Sequence, residues 1–156
     1  MEIKVADLSD VSVIHDLMIQ AFKVYTEEPS SALDETVESI LTAQREGERS
    51  LIQYKDGQPV GMVRFKFIEE GLYFYRLSVI PEMQGQGIAK SMLRYLEKLA
   101  NEENISKITC KVRMNVVKNI NLYTSLGYSV YDEEIVNKPN GINIKVASMI
   151  KCIEQQ

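Results

Sequence analysis

Gln84-Gly85-Gln86-Gly87 is the stretch whose residue types and spacing could do chemistry. It lies between an apolar run, Leu77 to Ile80, and a segment with Ile88, Met92, Leu96 and Leu99 at helical spacing. Pro81 ends the apolar run, because proline cannot donate to a sheet ladder. A strand, a glycine-rich turn and a helix start together make an anion site. The first amides of a helix lack intrahelical partners and carry the positive end of its dipole. Gly85 and Gly87 permit positive φ and a close backbone approach. The expected ligand is a phosphate or pyrophosphate held by the amides of Gln84, Gly85, Gln86, Gly87, Ile88 and Ala89, with Lys90 and Ser91 adding side-chain contacts. Two familiar phosphate loops fit badly. A P-loop closes on Gly-Lys-Ser/Thr, whereas Gly87 is followed by Ile88-Ala89-Lys90. A dinucleotide fingerprint needs a third glycine and an acidic residue closing the next strand, and that strand, Ile108 to Val112, ends among Lys111 and Arg113.

The elements that must position this loop are legible from periodicity. Ile3 to Val5 reads as a short strand, and Asp7, Ser9 or Asp10 caps a helix with Val11, Ile14, Met18, Ala21 and Tyr25 on one face. His15 lies beside that face and reads as a surface or half-buried residue. Thr26 to Ser31 breaks the pattern, and a second helix carries Leu33, Val37, Ile40 and Leu41 to about Gly47. Ser50 to Tyr54 and Val60 to Ile68 are strands joined through Asp56-Gly57, a strong hairpin signal. Val63, Phe65 and Phe67 alternate with Arg64 and Lys66, which predicts one buried and one wet face. Leu72 to Val79 returns after the Glu69-Glu70-Gly71 turn, so the central strand belongs to an antiparallel meander. Beyond the long helix, Lys107 to Met114 alternates, and a right-handed crossover makes it parallel to the central strand. Val117 to Leu126 is a helix with Gly127 as its C′ residue. Tyr128 to Val136 is a strand interrupted by Asp132, Glu133 and Glu134, Pro139-Asn140-Gly141 turns, and Ile142 to Ile150 marks the last strand.

Composition bounds the function. A chain of 156 residues with 45% hydrophobic content suits one domain with a sizeable core. No apolar run approaches the roughly 20 residues of a membrane span, and Met1-Glu2-Ile3-Lys4 begins no signal-peptide pattern. Cys110 and Cys152 read as reduced core residues of a cytoplasmic protein. A net charge of −4 argues against a nonspecific nucleic-acid binder and mildly favours neutral or cationic substrates. A single histidine largely excludes histidine-pair catalysis and histidine-rich metal sites, so no metal is expected.

Gln84-x-x-Gly87-x-Ala89, just after Val79-x-Pro81, resembles the acetyl-coenzyme A loop of the GNAT superfamily of N-acetyltransferases. Downstream, Asn119-Ile120-Asn121-Leu122-Tyr123-Thr124-Ser125-Leu126-Gly127-Tyr128 resembles that family's Asn-x-x-x-Tyr-x-x-x-Gly-aromatic segment. The blocks have the family's order and separation, and the likeness is sharp from about Arg76 to Tyr128. It implies an α/β (α+β) fold, with a mixed, mostly antiparallel central sheet and helices on both faces, over one domain spanning 1–156. It also implies an acetyl-coenzyme A-dependent N-acetyltransferase, moving the acetyl group to a primary amine of a small molecule or protein by direct attack on the thioester. The alternative is a non-catalytic acetyl-coenzyme A-binding domain with a regulatory or interaction role; a nucleotide-binding protein of another kind is disfavoured by the loop chemistry. Neither nucleic acid nor membrane is an expected partner, and a homodimer stays open.

By the same resemblance, the pantetheine arm pairs with Leu77, Ser78 and Val79, whose strand splays from its parallel neighbour. The Val79 amide is a candidate oxyanion donor, Tyr123 is the general acid for the departing thiolate, and Asn119 bonds the arm. Asn115 falls one residue early for a second asparagine. Many relatives carry a glutamate base on the central strand; Tyr73, Phe74 and Tyr75 stand there instead, so the base stays open, with water ordered by Tyr73 or Tyr75 as one route. The first two helices and their connection border the acceptor, which puts Tyr25, Glu27 and Glu28 beside it. Arg76 reads as a surface charge, or as a partner for a carboxylate of the protein or a substrate.

Overall fold

The computed structural model describes residues 1–24, 30–139 and 141–153. Its strands are β1 (Glu2–Val5), β2 (Arg49–Lys55), β3 (Gln58–Ile68), β4 (Gly71–Val79), β5 (Lys107–Arg113), β6 (Ser129–Asn137) and β7 (Asn143–Cys152). Among the described residues four α-helices accompany them: α1 (Val11–Phe22), α2 (Val37–Arg45), α3 (Ile88–Glu102) and α4 (Val117–Ser125). The strands follow the order β1-β2-β3-β4-β5-β7-β6. β4 and β5 are parallel, through Leu72↔Ile108 and Tyr73↔Thr109, while β1–β2, β2–β3, β5–β7 and β6–β7 are antiparallel. The mixed, mostly antiparallel sheet expected from the sequence is therefore present. The chain divides into two compact units, Met1–Phe67 with Phe74–Tyr95, and Ile68–Tyr73 with Leu96–Gln156.

In the first unit, α1 buries Val11, Ile14, Leu17 and Met18 together with Ile40 of α2 and Ile52 and Met62 of the sheet. Each such side chain contributes roughly 1.5–3 kcal/mol on leaving water. α3 takes the opposite face, where Gly61 lets it approach: a Cβ there would meet Ile88 Cγ2 at 2.9 Å and Met92 Cε at 3.0 Å. The β2–β3 hairpin turns on Asp56 and Gly57, at φ 51° and 79°, the two positive angles of a type I′ turn.

Two local expectations need revision here, and a third falls outside the described residues. Arg64 was expected on a wet face, yet it is 2% exposed. It shares the Met62 face that α1 covers, and its Nη1 reaches 3.9 Å from Met18 Sδ. The second helix begins at Val37, and Leu33 belongs instead to a separate 3₁₀ turn, Ser31–Asp34. Thr36 explains the split, since its side chain and that of Ser39 form a reciprocal capping box with Glu35 left extended. Tyr25, Glu27 and Glu28, expected beside an acceptor, lie outside the described residues.

The second unit is organised on β7, which pairs with β5 on one side and β6 on the other. Gly71 permits the close start of β4 against β5; a Cβ there would fall 2.2 Å from the Lys107 carbonyl oxygen. α4 ends in a Schellman motif: the Tyr128 amide donates to Tyr123 O at 3.0 Å, the Gly127 amide to Thr124 O at 3.0 Å, and Gly127 has φ 98°. The acidic Asp132-Glu133-Glu134 run does not interrupt β6; the ladder absorbs it with a register shift between Val130 and Asp132. Cys110 is buried, but Cys152, expected in the core, is exposed at the end of β7. Among the described residues no helix is long and apolar enough to cross a membrane.

Candidate functional site

β4 is the strand on which the candidate site was expected, and it is irregular there. Arg76 has φ 56° in mid-strand. For a residue with a Cβ this left-handed conformation costs roughly 1–2 kcal/mol, so surrounding contacts must hold it. The Ser78 hydroxyl donates to the Arg76 carbonyl at 2.9 Å, and the Ile80 amide donates to Val60 O at 3.0 Å. Leu77 and Val79 are half-buried and Ser78 is buried. Pro81 then opens a single 3₁₀ turn, Pro81–Met83.

The glycine loop follows. Gly85 and Gly87 both have φ 80°, and a Cβ on either would meet nothing within 4 Å. Gln84, Gly85, Gln86 and Gly87 are exposed. α3 starts at Ile88, and its first closing bond runs from the Ser91 amide to Gly87 O at 3.0 Å. The amides just before Ser91 therefore have no intrahelical acceptor and lie at the positive end of a fifteen-residue helix. Ile88 sends its side chain into the core beside Gly61, so its amide is the part left for a ligand. Ala89 and Ser91 are half-buried, and Lys90 is exposed. Sequence reasoning missed one neighbour: Lys55, from the β2–β3 hairpin, donates to Gln86 Oε1 at 3.1 Å. The two are 31 residues apart, so no local pattern announces the contact.

Behind the strand lies a chain of four charges. Arg64 bonds Glu48 through two nitrogens, at 2.9 and 3.2 Å, and Glu35 Oε1 through Nη1 at 2.7 Å. Arg76 Nε donates to the other Glu35 oxygen at 2.9 Å, and its remaining nitrogens reach Ser30 and Ser31. Burial pushes the Glu48 carboxyl above its usual range, and the Arg64 guanidinium opposes that shift. Both carboxylates are thus engaged with arginine, which disfavours either as a general base. His15 Nε2 lies 2.9 Å from the Glu35 carbonyl oxygen, an arrangement that orients the segment before α2.

In the second unit, Asn119 and Tyr123 stand four residues apart on α4 and so share one face. Asn119 is half-buried, and Tyr123 is 5% exposed with its ring centroid 6.0 Å from that of Tyr128. Burial raises the Tyr128 phenol and pushes the Cys110 thiol up to about 12.

The chain matches the acetyltransferase (GNAT) family over residues 12–128. It belongs to that family. The GNAT match takes in α1, the meander, the glycine loop and α4. A curated relative is the N-terminal acetyltransferase B complex catalytic subunit naa20 of Schizosaccharomyces pombe, 36% identical over 67 residues. That stretch is 42% of this chain and only 37% of the relative's length. Among solved GNAT-like folds, yncA of Salmonella typhimurium, a putative acetyltransferase described with its cofactor acetyl-CoA, superposes with TM-score 0.81 at 19% identity. The superposition covers 100% of this chain and 95% of that one. The ribosomal-protein-alanine N-acetyltransferase of Brucella melitensis gives TM-score 0.76 at 16% identity, covering 98% and 100%. At these identities the superpositions show a shared fold alone.

Proposed function

We propose that this chain, acting as one domain across 1–156, is an acetyl-coenzyme A-dependent N-acetyltransferase whose acceptor is a primary amine of a small molecule or a protein. The observation that carries the reading is the pair of left-handed glycines, Gly85 and Gly87, open on their outer side at the start of α3 in a GNAT chain. Amides from Gln84 to Ala89 hold the pyrophosphate, with Lys90, Ser91 and Lys55 beside them. The backbone of Leu77, Ser78 and Val79 receives the pantetheine arm, and Asn119 bonds it from α4.

The amine nitrogen attacks the thioester carbonyl carbon, and the resulting oxyanion is met by the Val79 amide. Collapse of the adduct breaks the carbon–sulfur bond. The leaving thiolate takes the Tyr123 phenolic proton, giving free coenzyme A and an acetamide. The amine's proton passes to water, since β4 presents Tyr73, Phe74 and Tyr75 where a glutamate base would stand.

The test is turnover of acetyl-coenzyme A over an amine panel, including spermidine and an alanine-terminated peptide, with coenzyme A binding measured alongside. Tyr123→Phe should keep coenzyme A affinity and lose about 10²- to 10⁴-fold in turnover, lowering kcat and kcat/KM together. A full-speed Tyr123→Phe would remove Tyr123 from the chemistry. Binding without turnover of any amine would favour the non-catalytic reading.

A further inference from the structure

The left-handed residue in the middle of β4 is an arginine, and its side chain is tied on every side. Arg76 Nε bonds Glu35 at 2.9 Å, Nη2 bonds Ser31 at 3.1 Å, and the guanidinium lies 6.0 Å from the Phe22 ring centroid. Glu35 cannot swing away from this pair. Its second oxygen is held by Arg64, which is itself buried and locked to Glu48. Its backbone is fixed at both ends, the amide on Ala32 O at 3.2 Å and the carbonyl against His15.

We infer that Arg76 and Glu35 are positioning residues for the cofactor: their ion pair locks the left-handed backbone at Arg76, which aims the backbone of Leu77 to Val79. The inference rests on the proposed reading of that stretch as the edge receiving pantetheine. Without the tie, a residue bearing a Cβ relaxes from φ 56° toward extended backbone. A change of φ at residue 76 rotates the peptide planes that follow it and so re-aims the amides of Leu77 to Val79. The Ser78 hydroxyl on the Arg76 carbonyl is a local latch. The Glu35 pair anchors this backbone to a residue 41 positions away in sequence, which a local turn cannot do.

The experiment compares Arg76→Ala, Arg76→Gly, Arg76→Lys and Glu35→Gln. Coenzyme A affinity is read by calorimetry, and exchange of the Ile80 amide, bonded to Val60, by NMR in the free protein. Arg76→Ala and Glu35→Gln should weaken coenzyme A by about fivefold or more and speed Ile80 exchange. Arg76→Lys, which still reaches Glu35, should stay within about twofold of wild type. Arg76→Gly should bind better than Arg76→Ala, because glycine adopts positive φ freely. Folded Arg76→Ala and Glu35→Gln with wild-type affinity and wild-type exchange would overturn the positioning role. A wild-type chain that binds no coenzyme A would overturn the cofactor reading and with it this role, while the Ile80 exchange would still show whether the pair holds the left-handed backbone at Arg76.

Discussion

Gly87→Val separates a phosphate cradle from a tight turn that holds nothing. Gly87 has φ 80°, and a Cβ there meets nothing within 4 Å, so the branch point of a valine side chain has open space in the free protein. The main cost to folding is backbone strain, roughly 1–2 kcal/mol. For a chain of 156 residues that lowers Tm by about 2–8 °C, leaving a folded protein to assay. The open space is where the pyrophosphate would approach, and the isopropyl group fills it. Losing one amide bond to a charged oxygen removes about 1.5–3 kcal/mol, a factor of about 10 to 150 in coenzyme A affinity. Gly141→Val is the matched control, since Gly141 has φ 84° and is equally open. It should lose similar stability and no affinity. Calorimetry with coenzyme A, after circular dichroism shows a native fold, reads both variants. Unchanged affinity in folded Gly87→Val would refute the cradle.

Further outcomes follow from the charged and thiol groups. Arg64→Ala leaves the Glu48 carboxylate, only 4% exposed, without its partner, and should cost about 3–5 kcal/mol in urea unfolding, whereas Arg64→Met with Glu48→Leu should recover most of that. Glu48's folded-state pKa is raised, so its contribution favours the fold below the ordinary glutamate range and is lost as pH rises. The Arg64→Ala deficit should therefore shrink as pH falls from 7 toward 5, and a deficit that grows on acidification would contradict this account. Cys152 should react with a thiol reagent at pH 8 while Cys110 stays protected until the chain unfolds. Because burial raises the Cys110 thiol from 9.0 to about 12, its share of stability is complete below about pH 9 and fades between there and pH 12, readable as an alkaline limb that Cys110→Ala lacks.

The features legible in the sequence are those fixed by sterics and hydrogen bonding within a few residues. Asp56-Gly57 specifies a type I′ hairpin because both central angles must be positive, and both are. Gly127 had to be the C′ residue of α4, and Gly85 and Gly87 had to leave the helix start of α3 open, for the same local reason. The parallel pairing of β4 with β5 follows from the handedness of one crossover. Tertiary structure alone decided the rest. Strand periodicity correctly put Arg64 opposite Val63 and Phe65, but only the packing of α1 over that face made it buried. Its partners Glu48 and Glu35 are 16 and 29 residues away, and Arg76 meets Glu35 across 41. No window of local periodicity spans such distances. The same holds for the positive φ at Arg76, a conformation that arginine does not favour by itself and that β4 acquires from side chains gathered by the fold.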